Sequence, residues 1–377
     1  MYYARRLQLK QTLTRKSCFL LGPRQTGKSS LLREQFPDAP IWNLLDASTY
    51  RKLNSDPSAL RWELRALKEK PKVVVIDEIQ RIPELLNEVH ILIEEDQLKF
   101  VLTGSSARTL RRKGTNLLAG RARVLHLHPL VHIEIGADFD LLRAFNHGMI
   151  PSVYLSSAPD EDLEDYCGVY LREEIAAEGI SRNLPAFSRF LEVAALCNGT
   201  MINFTSLASD AQTKRSTVVD WFDVLKDTLI AHELPAWTES IKRKAIQTSK
   251  YYFFDLGVAR HLSGQGQITN RGKAFGDAFE HFIFLELKAA QSYGVIKDLH
   301  YWRSTSAMEV DFVIDNKIAV EVKAKETLDH DDLKGLRAIG EETQISRRVV
   351  LCLFTKAEKR GDIEILPWRQ FLHELWT

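Results

Sequence analysis

The sequence predicts an α/β protein with a parallel β-sheet under helices at its amino end, a mainly helical middle and a second α/β unit at its carboxyl end. From Lys16 to about Ile135, short apolar runs (CFLL, PIWNLLD, VVVID, FVLTG, RVLHLHPL) alternate with helix-length stretches, the pattern of buried strands with covering helices. Between about Gly148 and Ala245 the period turns helical; SRFLEVAALCNG puts Phe190, Val193 and Ala194 on one face, with Gly199 as a stop. From Tyr251 onward, strand-like runs return (HYW, EVDFVI, KIAVEVK, RRVVLCLF) beside the long helical stretch GKAFGDAFEHFIFLELKAAQ. These changes of period divide the chain into units 1–147, 148–255 and 256–377.

Composition narrows the function classes. A chain of 377 residues exceeds what one core ordinarily serves, since single cores stop growing near ~250 residues. The net charge of +1 supplies no global attraction to nucleic acid, so such a partner must be met by a local patch. Cys18, Cys167, Cys197 and Cys352 are scattered without the paired spacing of zinc sites or disulfide frameworks. No uncharged apolar run approaches the ~18 residues that a membrane span needs. The expectation is a cytoplasmic protein with no membrane partner.

The most specific signal is GPRQTGKS, Gly22 to Ser29, which follows the run CFLL and precedes the helix-like LLREQF. The pattern G-x-x-x-x-G-K-[ST] in strand-to-helix context is a phosphate-binding loop: the glycines let backbone N–H groups turn toward a phosphate and the helix dipole adds positive potential. Gly22, Pro23, Arg24, Gln25, Thr26, Gly27, Lys28, Ser29 and Ser30 are the expected nucleotide contacts, with Lys28 on the β/γ oxygens and Ser29 on Mg²⁺. In VVVIDEIQRIP four aliphatic residues run into Asp77 and Glu78, placing acid at the carboxyl edge of a buried parallel strand, where ligands bind. Asp77 is expected to hold Mg²⁺ and Glu78 to orient or deprotonate the attacking water. KFVLTGSSA ends in hydroxyls, of which Ser105 or Thr103 can sense the γ-phosphate; LLAGRAR offers Arg121 as a cation for the phosphoryl group of a neighbouring copy, which requires a homo-oligomer.

GPRQTGKS, VVVIDEIQRIP, LTGSS and LAGR, in this order and spacing, resemble the bacterial and archaeal AAA-type ATPases that carry a C-terminal domain of unknown function; EVDFVI and AVEVK match that domain, so the resemblance covers nearly the whole chain. It implies an ATP-binding AAA-type P-loop NTPase domain, a winged-helix segment and a terminal fold similar to the PD-(D/E)XK, restriction-endonuclease-like nucleases.

In the middle unit, TSLASDAQTKRSTVVDWFDVLKDT reads as two helices joined by a short polar turn, Ser216 being able to cap the second. Lys214 and Arg215 open that helix, and Lys242, Arg243 and Lys244 lie between two apolar runs suited to the strands of a wing. Such lysines and arginines can contact the phosphates of double-stranded DNA without reading its bases.

MEVDFVIDNKIAVEVKA carries the chemistry of the last third. A hairpin loop of Asp315, Asn316 and Lys317 would pair Ile314 with Ile318, Phe312 with Val320 and Val310 with Val322, gathering the apolar residues on one face. Asp311 then lies opposite Glu321, and Glu309 opposite Lys323. Two such carboxylates can hold Mg²⁺ while a lysine positions or deprotonates water for attack on a phosphodiester. Glu280 shares a helical side with Ile283 and Leu287, an awkward place for an acid unless it joins that cluster. The resemblance points to the same Glu280, Asp311, Glu321 and Lys323. The expected function is an ATP-hydrolysing protein that couples nucleotide state to a nuclease-like domain acting on DNA; the alternative is a nucleotide-controlled binding or assembly protein whose nuclease-like domain does not cut.

Overall fold

Buried aliphatic runs become the strands. The computed structural model describes residues 2–106, 108, 118–170, 184–342 and 344–377. Near the amino end, β1 (Ser17–Leu21), β2 (Ile41–Asn43), β3 (Val73–Asp77), β4 (Lys99–Gly104) and β5 (Ala122–His126) form a sheet of order β2-β3-β4-β1-β5 in which every pairing is parallel. β1, β3 and β4 are almost continuously apolar and buried, as a sheet covered on both faces requires. All carboxyl ends lie along one edge, where β1 hands over to helix α1 (Lys28–Gln35). Helix α2 (Leu85–Glu95) packs Leu85, Val89 and Leu92 with Phe19, Val74, Ile76 and Phe100 of the sheet.

The middle section contains α3 (Leu184–Leu196), α4 (Phe204–Asp210) and α5 (Arg215–Asp227), with a small antiparallel sheet of β6 (Thr200–Met201), β7 (Ala231–Leu234) and β8 (Lys250–Phe253) in the order β6-β8-β7. Phe190, Trp221, Phe222 and Tyr251 share its core. The helix start differs from expectation: the residue ahead of α5 is Lys214, in extended conformation and without a side-chain cap bond, so Ser216 lies inside the first turn instead of capping it. Helix α6 (Leu256–Leu262) follows, its start capped by the buried Asp255, which accepts from Val258 N and Met149 N.

The carboxyl unit is a six-stranded mixed sheet of β9 (Leu299–Arg303), β10 (Glu309–Ile314), β11 (Ile318–Lys323), β12 (Arg347–Cys352), β13 (Glu358–Arg360) and β14 (Ile363–Pro367), ordered β13-β14-β12-β11-β10-β9. The long helix α7 (Lys273–Ser292) covers one face, with Phe282, Phe284 and Leu287 packed among Phe312, Val320 and Leu351; α8 (Lys334–Ile339) packs over Val313, Ala319 and Val350 on the other. A final helix, α9 (Trp368–Trp376), joins the α7 side. Residues assigned from the sequence to the first unit also belong here: Leu130, Val131, Ile135, Phe139 and Phe145 pack with α7 and Trp368 and not with the amino-terminal sheet.

The β10–β11 hairpin has the expected loop, with Ile314 opposite Ile318 and Phe312 opposite Val320, and Asp315 and Asn316 both take positive φ. Its base departs from the expected ribbon. Against β9, Val310 pairs with Trp302 but Val313 pairs with His300, so β10 carries one extra residue, a β-bulge. The bulge turns Val310 to the face of Val313 and Ala319, away from Phe312. That second face is buried under α8 and not solvated as a two-faced ribbon would have it.

Candidate functional sites

The loop after β1 is held from several directions. Gly27 (φ 93°) and Gln25 (φ 62°) lie in the left-handed region, which permits the turn into α1. A Cβ on Gly22 would come within 2.4 Å of Leu127 O, so the loop starts where only glycine fits beside the end of β5. Lys28, largely buried, donates from Nζ to Gly22 O (2.6 Å) and Pro23 O (3.0 Å), curling over its own loop, and Thr26 Oγ1 donates to Pro23 O (2.9 Å). Ser29 and Ser30 are exposed in the first turn of α1, where helix N–H groups have no intrahelical acceptor and the dipole favours an anion. The loop is fastened to the middle unit through Ser152 Oγ to Gln25 Oε1 (2.6 Å) and Tyr166 OH to Arg24 O (3.5 Å).

The neighbouring strand ends bring the acids alongside. β4 lies between β1 and β3, so Thr103 and Gly104 separate the loop from Asp77 and Glu78. Thr103 is fully buried and committed: its hydroxyl donates to Asp77 Oδ1 and accepts from Glu78 N (3.2 Å). Glu78 has φ 61°, a left-handed backbone that a glutamate adopts only when its surroundings hold it, and Gln80 Nε2 donates to its carboxylate at 2.5 Å. Ser105, half-buried, follows at the tip of β4. Arg121 is not brought to this edge. Ala122 pairs with Ser17 at the amino end of β1, the length of the strand away from the loop, and Arg121 Nε donates to Glu94 of α2.

In the carboxyl unit, the bulge places Asp311 so that Oδ2 accepts from Val322 N (2.7 Å). Glu321 Oε1 accepts from Lys323 Nζ (2.6 Å), while its buried Oε2 has no hydrogen-bond partner among the described residues. Glu280 projects from the middle of α7 toward the same place; its Oε1 accepts from Tyr252 OH (2.6 Å) and lies 3.3 Å from Lys250 Nζ. Burial raises the Asp311 carboxyl well above the ordinary carboxylate range, with Glu321 and Glu280 adding repulsion. Burial likewise raises Glu321 to about 7, against the lowering effect of Lys323. For Lys250, burial opposes the charge, but Glu280, Asp311 and Glu309 outweigh it and raise its pKa above the usual lysine value. Glu280, Asp311, Glu321 and Lys323 thus share one neighbourhood, yet among the described residues no three His, Cys, Asp or Glu side chains are gathered closely enough to hold a metal ion. The unpartnered Glu321 Oε2 beside Asp311 still fits a hard cation, because magnesium needs only one or two carboxylates and completes its shell with water or phosphate.

The cationic residues of the middle unit are divided. Lys214 and Arg215 are exposed at the start of α5. The loop from β7 to β8 does not stand free as a wing: Trp237 is buried beside the last sheet, Ala236 and Ala245 bridge to Tyr301 and Ser304, and Glu342 accepts from Ile241 N and Lys242 N. Arg243 is paired with Glu341 (2.8 Å), leaving Lys242 and Lys244 exposed.

Several residues escaped the sequence reading. Lys250 and Tyr252 reach the carboxylates from the middle unit; their i, i+2 spacing on a strand was the available signal, since it sets both on one face. Arg5 is buried with Glu134 (2.9 Å) and donates to Thr26 O (2.6 Å) and His128 O (2.6 Å), supporting the phosphate loop from the chain's start. Arg108, just past β4, pairs with Asp227 at the end of α5 (2.7 Å).

Comparison with known proteins matches three stretches of the chain. Residues 14–136 match the family described as an AAA domain, residues 138–269 a domain of unknown function (DUF8612), and residues 275–371 another (DUF4143). Uncharacterized proteins of Mycobacterium bovis and Mycobacterium tuberculosis are each 26% identical over 316 residues, 82% of this chain and 70% of theirs. Among solved structures, a signal-transduction ATPase with a tetratricopeptide-repeat sensor from Pyrococcus horikoshii overlaps at TM-score 0.24 and 14% identity, covering 76% of this chain but 45% of that one. Can2 from Sulfobacillus thermosulfidooxidans, in complex with cyclic tetra-adenylate, overlaps at TM-score 0.21 and 9% identity over 95% of this chain and 98% of its own. Neither overlap is close enough to assign a fold. No described helix is long and apolar enough to cross a membrane. The chain joins an AAA-type P-loop domain at its amino end to a DUF4143 domain at its carboxyl end.

Proposed function

We propose that this protein binds ATP with Mg²⁺ at the loop after β1, hydrolyses it, and uses the nucleotide state to control its two following units. The observation that carries the proposal is convergence: adjacent ends of one parallel sheet present a lysine-bearing glycine loop, a threonine and the acidic pair bonded to it. In this reading Lys28 contacts the β/γ-phosphate oxygens, Ser29 and Asp77 hold the magnesium ion, Glu78 orients the attacking water and Ser105 stands beside the γ-phosphate. The metal supplies neutralising charge to the phosphoryl oxygens. Glu78→Gln is expected to keep ATP binding and lose hydrolysis, and Lys28→Ala to lose both. Undiminished hydrolysis in both variants would overturn the proposal.

The units 1–147, 148–255 and 256–377 serve this coupling, with the segment from Leu130 to Phe145 packed on the last unit as the connection. Helices α3 to α5 with the small β6-β8-β7 sheet support a winged-helix reading of the middle unit. Its exposed Lys214, Arg215, Lys242 and Lys244 are the proposed contacts to duplex DNA phosphates. Arg121 takes part only in a homo-oligomer in which it reaches a neighbouring copy's nucleotide.

For the carboxyl unit, the proposed activity is Mg²⁺-dependent phosphodiester cleavage, with Asp311 and Glu321 as the cation-binding pair, Glu280 beside them and Lys323 positioning water. The unpartnered Glu321 Oε2 supports it. The second reading, a unit that binds without cutting, is favoured by the two ammonium groups already bonded to these carboxylates. Plasmid DNA that stays intact with every divalent metal and nucleotide leaves the second reading; cleavage that Asp311→Asn abolishes establishes the first.

A further inference from the structure

We infer that Lys250 is a built-in cation of the carboxyl-unit cluster and that a divalent metal gains Glu280 as a third carboxylate there, and so binds tightly, only by displacing its hold on that acid. The inference rests on the reading of Asp311 and Glu321 as a cation-binding pair. Lys250 comes from β8, a strand of the small middle sheet and not of the sheet that carries the acids. Only 5% of it is exposed. Its Nζ lies 2.8 Å from Glu309 Oε1, 3.3 Å from Glu280 Oε1 and 5.2 Å from the centre of the Tyr301 ring. A buried ammonium is costly unless paired and bonded, and this one is held by two carboxylates and an aromatic face.

The consequence falls on Glu280. Lys250 Nζ and Tyr252 OH, both from β8, engage the same oxygen, Glu280 Oε1. This acid is therefore held toward β8, while Glu321 Oε2, in a residue only 8% exposed, goes unpartnered and Asp311 is bonded through Val322 N. The cluster holds the acids of a cation site but keeps one turned aside, which accounts for the absence of a three-ligand grouping among the described residues. Lys323 cannot take the part of Lys250, because it is already bonded to Glu321 Oε1 at 2.6 Å. Releasing Lys250 frees Glu280 to join Asp311 and Glu321 around a divalent ion. Because β8 belongs to the middle unit, access to the acids is set by how that unit seats on the last one.

The test is a calorimetric titration of Mn²⁺ into the full chain without nucleotide, read as affinity and requiring no cleavage. Lys250→Met keeps the side chain's length and removes its charge; it is expected to bind Mn²⁺ at least tenfold more tightly than wild type, and Asp311→Asn added to it should abolish the gain. Lys250→Arg should stay near wild type. Tyr252→Phe, which removes one of the two donors on Glu280 Oε1 and leaves the lysine, should give a smaller gain in the same direction, and it serves if Lys250→Met does not fold. A folded Lys250→Met that binds Mn²⁺ no better than wild type, a gain that survives Asp311→Asn, or, should that variant fail to fold, no gain in Tyr252→Phe, would overturn the inference. Tight Mn²⁺ binding by Lys250→Met with plasmid left uncut would instead retain the inference and refute only the cleavage reading.

Discussion

The phosphate loop and the carboxylate cluster are both built where strands end or bend, but they are assembled in opposite ways. The loop is local: Gly22 to Ser30 are consecutive, and the ordering of β1, β4 and β3 adds Thr103, Asp77 and Glu78 from the adjoining ends. The cluster is dispersed: Glu280 comes from α7, Asp311 from a bulge in β10, Glu321 and Lys323 from β11, and Lys250 and Tyr252 from another unit. A local site draws its geometry from backbone turns, so residue spacing reveals it. A dispersed site depends on how elements far apart in sequence pack, and its charge balance can be set by a side chain that no spacing connects to it.

The largest expected effect breaks the local site. Lys28→Ala removes an ammonium from the phosphate loop and should weaken ATP binding about a hundredfold or more in calorimetry, the loss of ~3 kcal/mol of charge-assisted bonding, while leaving Mn²⁺ binding by the carboxyl unit of Lys250→Met unchanged. A comparable disturbance comes from Arg5→Leu, which leaves Glu134 buried without its cation and should cost ~3–5 kcal/mol in urea unfolding. The sign of its pH dependence follows from Glu134, whose carboxyl burial already raises above its ordinary value. A group with a raised folded-state pKa contributes stability at low pH that is lost as pH rises through that pKa. The Arg5→Leu deficit should therefore be smaller near pH 5 than near pH 8.

How much of this was legible follows from the same contrast. The strand-to-helix context of GPRQTGKS, the acids ending β3 and the hairpin loop at Asp315–Lys317 all follow from neighbouring residues, and the strands and loop form where the spacing puts them. The bulge at the base of β10 was not readable, because Val310 and Phe312 look alike in sequence and the extra residue is defined only against β9. The packing of the β7–β8 loop onto the last sheet was equally hidden: Lys242, Arg243 and Lys244 read as a free basic patch until Glu341 and Glu342 come beside them from the far end of the chain. Arg121 followed a glycine as the motif suggested, but its ion pair with Glu94 and its place at the amino end of β5 depend on the sheet order.

Smaller effects sharpen the comparison by probing what joins the two regions. Arg108 and Asp227 are partly exposed, and solvent screens such pairs, so Asp227→Asn should hardly move the melting temperature. It should nevertheless diminish any ATP-dependent change in hydrogen exchange across β7 and β8, because it cuts the ion pair between the tip of β4 and the end of α5. The smallest effect belongs to Arg121→Ala, which should leave ATP affinity within about twofold of wild type, since the residue is remote from its own chain's loop.

The central claim is that ATP is bound at the carboxyl edge of the first sheet, by the loop that Lys28 closes. Calorimetric titration of Mg²⁺ and ATP into the wild-type chain and into Lys28→Ala tests it most directly. The account requires saturable binding of one nucleotide per chain that the substitution weakens about a hundredfold or more; wild type with no heat beyond dilution, or equal binding by the two proteins, would contradict it.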